Sequence, residues 1–139
     1  MFMKSPEEIV NLMMMKNDAF SQWLGIQVLE IKQGYCKLQM QIRKEMLNGF
    51  YIAHGGITYS LADSALAFAS NSYGYKAVSI ETSISHTESL KEGDIIRAET
   101  EELHRSGKIA VYQVKVYTMP DKKVVVLFKG TVYITSQIW

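Results

Sequence analysis

Residues 55–72 place apolar side chains almost all the way round a helical cylinder, and this segment limits the possible folds more than any other. Ile57, Tyr59, Leu61, Ala62, Ala65, Leu66, Phe68 and Ala69 occupy nearly every helical phase, the pattern of a helix enclosed by protein. Gly74 follows where a left-handed residue commonly closes a helix. Such a helix needs a shell, and most of the remaining chain reads as strand.

From Gly25 the apolar period falls to two. Ile26, Val28 and Ile31 precede Gln33-Gly34, and Cys36, Leu38, Met40 and Ile42 alternate with polar neighbours beyond it, which predicts a hairpin. After the helix come four strand-like segments at 77–87, 94–104, 109–119 and 123–135. Glu92-Gly93-Asp94, Ser106-Gly107 and Pro120-Asp121 separate them as turn signals, and short turns predict antiparallel neighbours. The run 124–128 is apolar without alternation, which predicts a strand covered on both faces or one joining a subunit interface. The expected fold class is therefore α+β, a curved antiparallel sheet wrapped around a central buried helix. The other sheet face is left for solvent or a second copy, so a homo-oligomer is expected.

The start of the chain carries Ser5-Pro6-Glu7-Glu8, with Ser5 as N-cap, Pro6 at the first helical position and Glu8 completing a capping box. An N-terminal helix over 1–20 is expected, with Ile9, Val10, Met13 and Met14 on its packing face.

At 139 residues, with 47% hydrophobic and 21% charged, the composition predicts a single globular domain over 1–139. Fifteen Lys and Arg against fourteen Asp and Glu leave a net charge of +1, which argues against a nucleic-acid or membrane-surface partner. The lone Cys36 has no partner for an intrachain disulfide, and the expected location is cytoplasmic. The first ten residues lack the order of a secretory signal, and no span reaches the ~20 apolar residues of a membrane helix. His54, His86, His104 and Cys36 are too scattered for a zinc pattern, and the motifs of serine hydrolases, P-loops and dinucleotide folds are missing. No metal or cofactor is expected.

Asp63 stands in the middle of the helix meant to be buried, where a carboxylate is costly unless paired or beside water. Tyr59, Ser60, Ala67 and Ser70 share its face, so it either bonds Ser60 or buried backbone, or looks into a wet site. Just before the helix, His54-Gly55-Gly56 permits close approach of a ligand to the backbone, and free N–H groups at a helix start can hold an oxyanion. Asn48, in the polar loop, either orients water or a carbonyl or serves as a turn residue. Ser79 and Glu81 share a face of the next strand, turned to the site or to solvent.

Met46-Leu47-Asn48-Gly49, His54-Gly55-Gly56, Ser60-Leu61-Ala62-Asp63-Ser64-Ala65 and Asn71-Ser72-Tyr73-Gly74 together closely resemble the PaaI-type, phenylacetate-degradation branch of hotdog-fold acyl-CoA thioesterases. The resemblance continues through Gly93-Asp94, Ser106-Gly107-Lys108 and Leu127-Phe128-Lys129-Gly130. It implies Asp63 as general base or nucleophile, the Gly55 N–H as oxyanion donor, His54 shaping the loop and Asn48 placing carbonyl or water. Gly56, Ser79 and Tyr59 are the expected substrate contacts. It also implies an acyl-CoA thioester substrate, sites shared between two chains of a homodimer, and a dimer-of-dimers tetramer. The chain departs from the branch at Ser85-His86-Thr87-Glu88-Ser89, which lacks the usual arginine and proline. Lys76, Lys91, Arg97 and Arg105 remain as cations for the coenzyme phosphates. Phe50, Tyr51 and Ile52 make the loop before His54 bulky and apolar, which would narrow the acyl pocket or line it with apolar surface. A non-catalytic acyl-CoA or acyl-carrier binding protein is the alternative; a hotdog hydratase fits less well, because its His and Asp are spaced differently.

Overall fold

The structure, a computed structural model, describes residues 3–139; Met1 and Phe2 of the expected N-terminal helix lie outside the described residues. Ser5 caps as its sequence predicts. Its Oγ accepts from Glu8 N at 3.1 Å, and the Glu8 carboxylate accepts from Ser5 N at 3.3 Å. The helix does not run on to residue 20, however. A π-helical stretch, Glu8–Met14, passes into a 3₁₀ turn, Met15–Asn17, and then α1, Ala19–Leu24, begins afresh. Asp18 makes the break: its backbone leaves helical geometry and its side chain accepts from Ser21 N, the work of an N-cap.

The remaining elements are β1 (Gln27–Lys32), β2 (Tyr35–Gln41), a 3₁₀ turn (Lys44–Met46), α2 (Gly55–Asn71), β3 (Tyr75–His86), β4 (Ile95–Arg105), β5 (Ile109–Met119) and β6 (Val124–Ile138). All six strands form one antiparallel sheet in the order β1-β2-β4-β5-β6-β3. The helix α2 lies against β2 through β6 and buries Leu61, Ala62, Ala65, Leu66, Phe68 and Ala69 among others. Its apolar circumference thus has the predicted cause. The sheet encloses it, and Tyr59, Ser60, Asp63, Ser64 and Ala67 form the one half-exposed stripe.

Two strand expectations change. The four strands after α2 are not successive neighbours, because β3 pairs with β6 at the sheet edge. The Gly93 turn, with φ of 94°, bonds instead to the end of β2, Gly93 N to Ile42 O at 2.8 Å and Ile42 N to Asp94 O at 2.9 Å. That pairing delivers β4 to β2 and leaves β3 outside. The apolar run 124–128 comes from a bulge. Val116 pairs with Val126 and Tyr117 with Val124, so Val125 is the extra residue and both Val125 and Val126 turn inward. Val124 and Leu127 remain exposed.

Candidate active site

The start of α2 is held by its own side chains. His54 Nδ1 accepts from Gly56 N at 2.9 Å, and the His54 carbonyl accepts from Ile57 N. Thr58 Oγ1 donates to Gly55 O at 3.1 Å and lies 2.9 Å from His86 Nε2. The Gly55 N–H has no partner among the described residues, and stands at the positive end of a 17-residue helix. A side chain on Gly55 would meet the His86 ring at 3.3 Å.

Asn48 builds the loop beneath this helix start. Its Oδ1 accepts from Phe50 N at 2.9 Å and Ile52 N at 3.4 Å, and Tyr51 is held at a φ of 62°. Such a left-handed tyrosine needs support from its surroundings, and the Asn48 bonds supply it. A cavity of about 370 Å³ opens here, lined by Asn48, Ile52, Gly55, Thr58, His86 and Leu90. Of the bulky loop residues only Ile52 reaches it. Phe50 and Tyr51 are more than four-fifths exposed, so they do not narrow the pocket within one chain.

Asp63 faces a second cavity of about 330 Å³ with Leu66, Ala67, Ser70, Val78 and Ser79 on its walls. Burial raises the Asp63 carboxyl above the ordinary aspartate range, and the negative charge of Asp18 adds to the rise. Asp18 arrives there through a chain of hydroxyls. Its carboxylate accepts from Ser21 Oγ at 2.6 Å, and Ser21 Oγ lies 2.8 Å from Ser64 Oγ, next to Asp63 in sequence. The expected alternative for Asp63, a bond to Ser60, does not form, because Ser60 Oγ donates to Gly56 O.

Gly55 and Asp63 are eight residues apart on one helix, about 12 Å along its axis at 1.5 Å per residue. Their two cavities share no lining residue. One chain therefore brings Asn48 to Gly55 and Ser79 to Asp63, but does not bring the two pairs together. Tyr59 lines neither cavity; its hydroxyl lies 2.7 Å from Thr82 Oγ1 and its ring packs edge-on against Phe128. Gly56 is spent on the His54 bond. His86, Thr58 and Asp18 were not among the expected site residues. Asp18 carried a signal as an N-cap before an apolar run, and His86 lies in the segment where the chain departs from the PaaI-type branch.

The candidate cations divide in the same way. Arg105 is engaged with Glu102, Tyr112 and the Tyr73 ring, Arg97 donates to Gln39, and Lys76 sits over Trp139. Lys91 instead borders a hollow that shares Ile52, Ser89 and Leu90 with the Gly55 cavity, and Lys123 borders it too.

Comparison with known proteins agrees with this architecture. The model of the thioesterase superfamily matches residues 50–125, more than half the chain and the whole of α2. The chain belongs to the thioesterase superfamily. Within this superfamily it is a thioester hydrolase of the PaaI-type hotdog branch. Acyl-coenzyme A thioesterase PaaI of Escherichia coli is 34% identical over 117 residues, 84% of this chain and 83% of that one. A protein of Archaeoglobus fulgidus named "Putative esterase" is 43% identical over 120 residues, 86% of this chain and 77% of its own. The solved structure of E. coli PaaI superposes with a TM-score of 0.92 at 30% identity, covering 96% of this chain and 95% of that chain. The sheet wrapped around α2 is the hotdog fold. No described helix of this thioesterase is long and apolar enough to cross a membrane.

Proposed function

We propose that the protein hydrolyses acyl-CoA thioesters in sites shared between two copies of the chain, with Asp63 from one copy and the Gly55 N–H from the other. The observation that carries this reading is the separation of about 12 Å between the two groups on one helix, each open to a cavity of its own. A free oxyanion donor and a carboxylate of raised pKa are what acyl transfer needs, but they must meet at one carbonyl carbon.

The edge strand β3 supplies a surface on which a second copy would fit. Its outer edge is unpaired among the described residues, and Val78 and Ile80 are more than half exposed on it beside Ser79. An exposed apolar edge strand is a template for strand pairing, and a two-fold related copy would pair antiparallel. The family resemblance supports a further pairing of dimers into a tetramer. The single buried Cys36 fits a reducing, cytoplasmic setting.

In the reaction, the Asp63 carboxylate takes a proton from water as the hydroxide adds to the thioester carbon. The Gly55 N–H, with Asn48 nearby, holds the resulting oxyanion. Collapse of the tetrahedral adduct breaks the C–S bond, and the coenzyme leaves as a thiolate that is protonated to the thiol, leaving the carboxylic acid. In the nucleophilic variant Asp63 itself adds to the carbon, expels the thiolate and forms an anhydride that water then cleaves. The name of the E. coli relative supports acyl-CoA as the substrate class, and Lys91, on the adjoining hollow, is a candidate cation for its phosphates, whereas Lys123 there pairs with Glu88 at 3.4 Å.

The test is thiol release from a panel of aryl- and alkyl-CoA thioesters by wild type and Asp63→Asn, with sedimentation to give the assembly. Turnover by a dimer or larger species, lost in Asp63→Asn, is the expected result. Full activity in Asp63→Asn, or in a monomer, would overturn the reading. Tight acyl-CoA binding without thiol release would replace it with the binding-protein alternative.

A further inference from the structure

We propose that His86, acting through Thr58, is a positioning residue that fixes the oxyanion-holding Gly55 N–H. The inference rests on Gly55 serving as that donor. Two consecutive glycines at a helix start have no side chains of their own to limit their backbone, so a donor placed there points reliably only if its surroundings hold it. The donor lies in the His54–Gly55 peptide, whose carbonyl accepts from Ile57 N at 2.9 Å, and across the Gly55 Cα the Gly55–Gly56 peptide is held at both ends. Its carbonyl oxygen accepts from Thr58 Oγ1 at 3.1 Å, and its N–H donates to His54 Nδ1 at 2.9 Å.

A hydroxyl has one proton to give. With that of Thr58 given to Gly55 O, the 2.9 Å contact between Thr58 Oγ1 and His86 Nε2 is a bond donated by the imidazole. The same ring covers the Cα of Gly55, where an added Cβ would stand 3.3 Å from Cε1. His86 itself is fixed by its strand. It pairs with Val126 of β6, and the next residue, Thr87, donates from its N–H to Val125 O at 2.9 Å. The sheet thereby sets the direction of the helix start through a single imidazole, at the strand end where the arginine and proline of the PaaI branch are missing.

A threonine hydroxyl this close to an imidazole also has the spacing of a nucleophile and its base. The burial argues for the clamp instead, since Thr58 is 3% exposed and its proton is directed into the backbone.

The experiment measures steady-state hydrolysis of phenylacetyl-CoA and hexanoyl-CoA by wild type, Asp63→Asn, His86→Phe, His86→Gln, Thr58→Val and the His86→Phe/Thr58→Val double variant, each checked for assembly by sedimentation. A misdirected donor is felt only in the transition state, so His86→Phe and Thr58→Val should lower kcat by roughly 10- to 100-fold with KM little changed. His86→Gln, which returns an N–H near the Nε2 position, should recover most of the loss, and the double variant should fall no lower than the weaker single one. Wild-type kcat in His86→Phe, no recovery by glutamine, or losses that multiply in the double variant would overturn the clamp. So would a loss in Thr58→Val as complete as that in Asp63→Asn, which would make Thr58 a nucleophile. Thr58→Val carries the test independently if His86→Phe does not fold. An active wild type with an active Asp63→Asn variant would count against the role of Asp63 alone, whereas a wild type inactive on both thioesters would remove both the hydrolytic reading and the clamp.

Discussion

Ser21 Oγ and Ser64 Oγ lie 2.8 Å apart, and this contact joins the short helix α1 to the residue beside Asp63. Ser21 is also bonded to Asp18 through both its N–H and its hydroxyl. The start of the chain therefore contributes a negative charge to the surroundings of the carboxylate assigned to catalysis.

Asp18→Asn should move the acid limb of the kcat/KM profile to lower pH. The carboxyl of Asp63 is raised first by burial and second by the Asp18 charge. Removing the charge lowers the pKa, while burial still keeps it above the ordinary aspartate value of about 3.9. Asparagine caps a helix about as well as aspartate, so α1 should survive. A pH–rate profile of both proteins checks this; an unmoved limb would show that Asp18 does not act on the free enzyme.

Asp63→Asn should lower kcat by about 10²–10⁴-fold and at the same time stabilise the fold at neutral pH. With the folded pKa above the unfolded one, the folded state holds the proton more tightly, so wild-type stability falls as pH rises between the two values. The neutral amide escapes that loss. Its advantage in urea denaturation should be full at pH 7, shrink as pH falls through the folded value, and vanish below the ordinary aspartate range.

Gly55→Pro removes the proposed donor and also sets a Cβ 3.3 Å from the His86 ring, which must give by a few tenths of an ångström. Proline is favoured at the first helical position, and His54 already has the extended backbone that a following proline requires, with φ −61° and ψ 138°. The expected loss in kcat is ~10²–10³-fold with α2 intact by circular dichroism.

Gly130→Ala should destabilise by about 1–3 kcal/mol through overpacking. A Cβ on this β6 residue would overlap the side chain of Leu66, which is buried on α2. Urea midpoints of the two proteins measure the effect, and Leu66→Ala in the same background should relieve the clash.

The parts legible in the sequence were those with a local cause. The circumference of α2 required an enclosing sheet, and Ser5 and Glu8 cap as their spacing predicts; as candidates, Asp63 drew notice as a carboxylate in a helix meant to be buried, Gly55 as a bare helix start and Asn48 as a polar loop residue. What failed depended on distant partners. Turn signals mark where strands end and not which strands pair, so the edge position of β3 was invisible. The bulge at Val125 disguised an ordinary alternation as a doubly covered strand. Tyr59 shares a face with Asp63, and its contacts with Thr82 and Phe128 exist only once the sheet has folded round α2. Thr58 reads as one more buried helical residue, and nothing local joins it to a histidine 28 positions away. Asp18 was readable as a cap, whereas its electrostatic effect on Asp63 exists only once α1 packs on α2.

The spacing of Gly55 and Asp63 along α2 has a genetic counterpart. If every site draws one group from each of two chains, two defects that silence the protein separately complement one another when the chains are mixed. A hybrid of Asp63→Asn and Gly55→Pro subunits contains one site with both groups intact and one with neither. Random reassociation of equal amounts makes half the dimers hybrids, so about a quarter of wild-type activity should return from two inactive preparations. Sites complete within a single chain would return none.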